Sequence, residues 1–483
     1  MTRRTTTILC SIIGALLLFG YGTWWLVRQA RVDVAALNFV ATKAFDHRGS
    51  GASSAVIPAL LGMETPRTIL ILFLNNTEIR PGGGFIGSYG VVTVDHGAVV
   101  SLFTDGTENL DRAAIALAPI AAPQPIKDHL IDRWFFRDSN WSPDFARASQ
   151  DALTFYTLEN GQQATAIQTV VGVTPEVLTT LMKYTGSVTA GGKVFTAENI
   201  TDLLEQTVEV DFHKQGIPKT ERKAVIGAIA SELVSRIKHI SPLQWGNVLG
   251  DFERLIDERH VIIFDRDSKI QNNLDMLGWS GRLKSGTPDS VMFVDANLAS
   301  LKTDRVMERA MRYDVFRDAA SGEWRGRVTM RYKNTGTLDW RTTRYGTYTR
   351  WYFPADTKFL DATGSVKSHK DKTPGAWDVT QEDGHTVIGS FILTEPGETT
   401  TVTIDIALAP SVVAEILNHR YGLLVQKQLG THGFELTVHA DFGTNVRTAT
   451  PSESSKNFGD RAYDWNAMVT KDTMFDISFE SLH

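Results

Sequence analysis

Arg67 to Leu74 reads RTILILFL, and it runs straight into Asn75-Asn76-Thr77-Glu78-Ile79-Arg80-Pro81-Gly82-Gly83-Gly84-Phe85-Ile86-Gly87-Ser88. The apolar run is too short for a helix and rich in Ile, the pattern of a strand buried on both faces. GSYGVVTV (87–94) and AVVSLF (98–103) flank Asp95-His96-Gly97, where a glycine is available for positive φ, so the next element is a β-hairpin. A buried strand, a polar glycine-rich loop and a hairpin together set the start of a sheet.

Downstream, Ser142-Pro143 has the form of an N-cap and first helical residue, with Phe145, Ala148, Ala152, Phe155 and Tyr156 on one face behind it. Thr174-Pro175-Glu176 repeats the device, with Leu178, Leu181 and Met182 inward and Gly186 as the stop. AIQTVVGV (166–173) between them reads as a strand, and Thr220 to Ile240 carries Ile226, Ile229, Leu233, Ile237 and Ile240 on a helical stripe. VIIFDRD (261–267) and VMFVDANL (291–298) read as further strands. This alternation to about residue 300 predicts an α/β domain. From Met311 the regime changes to short alternating runs, RVTMRY, TYTRWYF, TVIGSFIL, TTTVTIDIAL and FELTVHADF, which predict an all-β sandwich-like carboxyl-terminal domain. The charged stretch Lys302 to Arg312 marks the expected boundary, giving domains over 61–305 and 306–483.

Upstream, Ile8 to Val27 is twenty residues without a charge, long enough at ~1.5 Å per residue to cross the hydrocarbon core of a bilayer. It ends in Trp24 and Trp25, which suit an interfacial belt, and lacks a small-residue cleavage pattern, so it reads as an N-terminal transmembrane anchor (1–33) and not a cleaved signal peptide. Arg3 and Arg4 before it and Arg28 and Arg31 after it nearly balance; the charged amino terminus tips the orientation to N-in, C-out, which places a single-pass protein in the plasma membrane with its bulk extracytoplasmic. Residues 34–60 read as a stalk helix, on Leu37, Val40, Ala41 and Ala44, followed by a flexible joint at Gly49 to Ser54. The 483 residues carry a net charge of −6 with no basic tract, which argues against a nucleic-acid partner. The single cysteine, Cys10, lies inside the apolar run and excludes disulfide scaffolds, cysteine metal sites and thiol catalysis in the body.

The loop after the first strand is the leading candidate for chemistry. Asn75, Asn76, Glu78, Arg80 and the backbone of Gly82, Gly83 and Gly84 would converge on an anion at the carboxyl end of a buried strand. No Gly-Lys-Ser/Thr follows, so it is not a nucleotide loop; the competing reading is a plain turn with Arg80 paired to Glu78. A second cluster, RWFFRDSNWSPDF (133–145), adds Arg137, Asp138, Asn140 and Asp144 before a helix start, or else supplies core aromatics and a first-turn acid. Asp95, Asp105, Asp111, Asp138 and Asp144 are oxygen donors of the kind Mg²⁺ takes, or solvated surface acids. The twelve histidines are scattered without His-Glu-x-x-His, and Gly-x-Ser-x-Gly is absent, so neither a zinc protease nor a simple α/β-hydrolase is expected.

ILILFLNNTEIRPGGGFIGSYGVVTVDHGAVV, RDSNWSPDF, KYTGSV, AEN, the Gly278-Trp279 pair, VDANLASLKTD, RWYFPADT, EPGETTTV and VQKQLGT, in this order, closely resemble the bacterial membrane proteins of domain of unknown function 4012. That resemblance extends from about Pro66 onward and implies no activity. A strand, the Asn-Asn…Arg loop, a hairpin and the helix leading into AIQTVVGVTPEVLTTLMKYTGSVTA are also similar to the LytR-CpsA-Psr family, with ERKAVIGAIASELVSRI standing where that family has its arginine-rich helix. The second resemblance implies an α-β-α-like domain and a transferase moving glycopolymers from polyprenyl pyrophosphate carriers, with arginines on the pyrophosphate and acids on Mg²⁺. Asn75 stands where that pattern has Asp, Gly87-Ser88 where it has Asp-Thr, and Phe103-Thr104-Asp105 where it has an Arg-Asp pair. Arg80 and Asp105 alone carry over, which leaves too little charge to hold a magnesium pyrophosphate in the same way.

Three expectations follow. The first is a membrane-anchored envelope protein binding an anionic carrier-linked or glycan ligand through Asn75, Asn76, Glu78, Arg80, Gly82 to Gly84, Arg137, Asn140 and Asp144. The second is a divergent Mg-dependent glycopolymer phosphotransferase using Arg80, Arg137, Asp105 and Asp138. The third is a non-catalytic structural protein with an envelope protein as partner.

Overall fold

RTILILFLN folds as β1 (Arg67–Asn75), the middle strand of a five-stranded sheet in the computed structural model, which describes residues 52–117, 119–237, 239–285, 288–453 and 456–481. The hairpin forms as expected, with β2 (Phe85–Asp95) and β3 (Ala98–Gly106) joined through His96 and Gly97 at φ 47° and 77°. Two successive positive φ values match the right-handed twist of the flanking strands, which is why a glycine stands there. With β4 (Thr169–Val173) and β5 (Val261–Asp265) the order is β3-β2-β1-β4-β5, and β1 and β4 are its parallel pair.

Alternation along the strands divides the sheet into two apolar faces. Ile69, Ile71, Val92, Val94, Val171, Val173, Val261 and Ile263 share one core with α1 (Ala52–Leu60), α4 (Pro175–Thr185), α5 (Ala224–Ile237), α6 (Trp245–Asp257) and α7 (Ser268–Leu277). The other face lies under α3 (Phe145–Leu158), where Tyr89 meets the rings of Phe136 at 5.6 Å and Tyr156 at 5.3 Å. Between β3 and α3 comes α2 (Thr107–Ala114). Each fully buried aliphatic side chain of β1 contributes about 1.5–3 kcal/mol relative to exposure, so the central position of this strand follows from its composition. Gly172 keeps the second face flat: a Cβ there would stand 2.9 Å from Leu74 and from the Phe145 ring.

Several local expectations are corrected. The cap of α3 is Asp144, whose carboxylate accepts from the Arg147 amide at 3.2 Å, while Ser142 lies a step earlier and accepts from the Asp144 amide. A carboxylate is as good a cap as a hydroxyl, and Ser-Pro concealed it. Residues 52–54, read as part of a joint, begin α1. The Ile8–Val27 segment and the Val34–Phe45 periodicity lie outside the described residues, and among the described residues no helix is long and apolar enough to cross a membrane.

Residues 52–76, Gly82–Ala121 and Arg133–Arg282 make one compact unit; Thr77–Pro81, Ala122–Asp132 and 283–481 make the second. The division at Arg282 precedes the charged stretch from Lys302. VMFVDANL, expected in the α/β domain, forms strand Asp289–Asn297 at the centre of the second unit, antiparallel to Tyr345–Pro354 and parallel to Arg420–Val425. All nine of its residues are buried, a property that announces a central strand without saying which sheet it enters. The chain is thus a mixed α/β domain followed by a sheet-rich region.

In the second unit a seven-stranded sheet runs Asp378–Glu382, His385–Thr394, Tyr345–Pro354, Asp289–Asn297, Arg420–Val425, Thr473–Phe479, Val446–Thr450. A six-stranded sheet runs Lys358–Thr363, Thr399–Ala407, Trp324–Asn334, Met307–Arg317, Phe434–Asp441, Ala462–Val469. Val291, Trp351 and Ile388 of the first share one core with Tyr313, Val328 and Ile404 of the second. Two buried acid clusters inside are paired: Arg309 reaches Asp295 at 2.8 Å and Asp304 at 2.6 Å, and Asp289, pushed up to about 6 by burial, accepts from Tyr313 and Tyr421.

Candidate functional site

The strand directions gather chain ends on one side of the sheet. β1 and β4 finish there at Asn75 and Val173, β2 begins there at Phe85 opposite Asn75, β3 finishes there with Gly106 opposite Ser88, and β5 begins there at Val261 opposite Val173. Ligands of α/β folds bind outside the carboxyl ends of parallel strands, where loops diverge. Three side-chain groups stand at this end or on the face next to it.

The first group lies between β1 and α4. Asn76 Nδ2 donates to Glu176 Oε1 at 2.9 Å, and the Thr174 hydroxyl bonds Glu176 and lies 2.9 Å from His260 Nδ1, which is 3.4 Å from Glu176. Thr174 and Glu176 open α4, and His260 immediately precedes β5, so the topology alone brings them together. The Thr174-Pro175-Glu176 start signal concealed this second use.

The second group hangs on α2. Glu108 receives the Lys223 ammonium at 2.6 Å and Arg222 Nε at 3.3 Å; Lys223 also donates to the Gly87 carbonyl, and Arg222 to Glu209. Asp105 accepts from the Gly106 amide at 2.7 Å and from Asn109 Nδ2 at 2.6 Å. Burial raises Glu108, but Lys223 and Arg222 outweigh it and leave the carboxyl below its ordinary value. Burial lowers Lys223, and the attraction of Glu108 offsets only part of that. Both groups move downward, Glu108 because the cations favour its charged form and Lys223 because it is the more deeply enclosed partner.

The third group lies against the α3 face. Arg137 stands 3.2 Å from Asp111 and 3.4 Å from Asp138, and its guanidinium, like that of Arg133, lies over the Phe135 ring. Asp111 and Glu159 are each 3% exposed. Glu159 Oε1 accepts from the Phe136 amide at 3.0 Å. Burial, with the neighbouring Glu159 and Asp138, pushes the Asp111 carboxyl up to about 8 against the pull of Arg137, and burial likewise raises Glu159. Asp111 and Glu159 are thus two neighbouring buried acids, and burial disfavours charge on both.

The structure brings together part of the expected site. Gly82 donates its amide to the Asn140 carbonyl at 2.9 Å, and Asn140 Nδ2 donates to the Gly84 carbonyl at 2.7 Å, so the two loops dock on each other. Gly84, at φ +144°, packs so closely on Asn75 that a Cβ would come within 2.7 Å of its carbonyl carbon, and Gly83 has φ 113°. Asn140 is fully buried and fastens the loops. Asp144, the helix cap, also meets Arg282 at 3.3 Å. Glu78 and Arg80 belong to the second unit, where Arg80 is 2% exposed and donates to the Asn297 carbonyl at 2.6 Å, the Ile79 carbonyl at 3.3 Å and Glu78 at 3.2 Å. Arg137 and Asp138 stand together as expected, with Asp111.

Residues 64–208 match a family model described as protein of unknown function, DUF4012. No curated protein matches the chain. Among solved structures, a putative nutrient binding protein from Legionella pneumophila subsp. pneumophila str. Philadelphia 1 aligns at 10% identity over 39% of this chain and 71% of its own, with a TM-score of 0.26. Leukotriene A4 hydrolase from Saccharomyces cerevisiae aligns at 7% identity over 36% of this chain and 29% of its own, with a TM-score of 0.23. An M1 zinc metallopeptidase from Deinococcus radiodurans aligns at 12% over 36% and 42%, with a TM-score of 0.18. Likenesses this loose establish neither a common fold nor a shared activity. Residues 64–208, which supply Asn76, Asp105, Glu108, Asp111, Arg137 and Glu176, belong to the family described as protein of unknown function, DUF4012.

Proposed function

We propose that the chain is a single-span, membrane-anchored extracytoplasmic envelope protein whose α/β domain binds an anionic, carrier-linked or glycan ligand. Ile8–Val27 supports the anchor, and the sheet-rich region is read as a β-sandwich. One observation carries the binding: the carboxyl end of the β1–β4 pair gathers Asn76, Thr174, Glu176 and His260, with Lys223 reaching in to the Gly87 carbonyl beside Arg222. An amide, a hydroxyl, an imidazole and two adjacent cations are donors that an anionic ligand can take. This reading does not use Arg80, whose guanidinium is buried against carbonyls in the second unit.

The alternating acids and bases also support the second reading, a divergent Mg-dependent transferase. Asp105 and Glu108 beside Arg222 and Lys223 offer oxygen donors next to cations, the set a metal–phosphate substrate takes. Full-length protein extracted in mild detergent tests the binding by native mass spectrometry. A co-purifying lipid-phosphate or glycan adduct, lost in the Arg222→Gln, Lys223→Gln double variant, is expected. An adduct retained by that variant, or its absence from folded wild-type protein, moves the weight to a structural role with an envelope protein as partner.

A further inference from the structure

Arg222 and Lys223 are consecutive, yet both turn onto one carboxylate. Glu108 takes Lys223 Nζ at 2.6 Å on Oε2 and Arg222 Nε at 3.3 Å on Oε1, so each of its oxygens carries one cation. All three side chains are mostly enclosed, at 13% exposure for Arg222, 14% for Lys223 and 21% for Glu108. The carboxylate also folds back on its own chain: a Cβ on Gly106 would meet Glu108 Oε2 at 2.7 Å. Gly106 is therefore the residue that lets the carboxylate sit over the start of α2, a helix without a side-chain cap of its own. Lys223 holds this position from a second side through the Gly87 carbonyl, which fixes the ammonium at the end of β2. One carboxylate oxyanion therefore already sits between two convergent cations at a helix start.

We infer that the Arg222–Lys223 step is an anion subsite occupied by the chain's own Glu108 carboxylate, and that a phosphate-bearing ligand enters by displacing Glu108 from the two cations. This deepens, and rests on, the anion-binding reading of the same end of the sheet. Glu108 then acts as an internal competitor: together with Glu209 it keeps two enclosed cations neutralised when the site is empty, and it discriminates against anions too weakly charged to replace it. Removing its charge while keeping its shape strengthens binding, the opposite of what loss of an ordinary structural ion pair does. Glu209 stays paired with Arg222 during the exchange and holds the guanidinium in place.

The test is calorimetric titration of full-length protein in detergent micelles with inorganic phosphate, for wild type, Glu108→Gln and the Arg222→Gln, Lys223→Gln double variant. Circular dichroism confirms folding, and Glu108→Asp, which draws the carboxylate back, replaces Glu108→Gln should the latter unfold. The expected result is binding at least tenfold tighter in the Glu108 variant than in wild type and none in the double variant. Equal affinity in wild type and the Glu108 variant, with loss in the double variant, overturns displacement and leaves the anion reading standing. Unchanged binding in the double variant, or no binding by the Glu108 variant, overturns the subsite itself.

Discussion

Replacing Asp111 by Asn is expected to make the protein more stable in mild alkali. The carboxyl is 3% exposed, and burial beside Glu159 and Asp138 pushes it up to about 8, with Arg137 pulling the other way and Tyr89 close enough to feel its charge. In the unfolded chain it returns to an ordinary value near ~3.9. Between those two values the folded state holds a proton that the unfolded state has released, so stability is fully present below the lower value and falls as pH rises through the upper one. Each pH unit of that window costs about 1.36 kcal/mol, and the window sums to a loss on the order of 5 kcal/mol for an isolated group. Glu159, also raised by burial, stands beside it, so the slope belongs to the pair. Asparagine keeps the shape and does not ionise. Urea midpoints from pH 5 to 9 are expected to fall steeply in wild type and to flatten in Asp111→Asn, with the curves crossing as wild type loses its proton. Parallel curves would refute the raised Asp111 carboxyl and the burial argument behind it.

Gly172→Ala places a Cβ 2.9 Å from the Phe145 ring and is expected to cost about 1–3 kcal/mol, read as a lower melting temperature, since it overpacks the α3 face. Arg309→Met leaves Asp295 and Asp304 buried without their cation and is expected to cost about 3–5 kcal/mol in urea unfolding, whereas Arg327→Met, at an exposed pair with Asp405, costs less than about 1 kcal/mol. Asp144→Ala removes the cap of α3 and is expected to cost about 1 kcal/mol by the same assay.

The regular elements were legible because their signals are local. TILILFL could bury itself only as a central strand, and Asp95-His96-Gly97 could turn the chain only as a hairpin. The placement of VMFVDANL was not legible, because a strand apolar on both faces pairs equally well in either sheet. Within the candidate site, composition singled out the polar loop after β1 and the Arg137–Asn140 loop as ligand-binding segments, but not that Asn140 fastens one loop to the other. Arg80 stood out in the sequence beside three glycines, but a guanidinium can serve carbonyl oxygens in a folded core as well as an external anion, and sequence does not tell these apart. Glu108, Arg222 and Lys223 come from segments more than a hundred positions apart, so only the register of β2 and β3 and the return of the chain through Thr220 join them. Their one advance sign was the basic start of ERKAVIGAIASELVSRI.

The central claim is that an anion binds at the carboxyl end of the β1–β4 pair. Crystals of the protein soaked in tungstate would locate it directly through the anomalous signal of the metal. The account predicts a peak within contact distance of the Arg222 and Lys223 side chains, with Glu108 swung away from them. A peak beside Arg80, or Glu108 still seated on both cations with no peak near them, would contradict it.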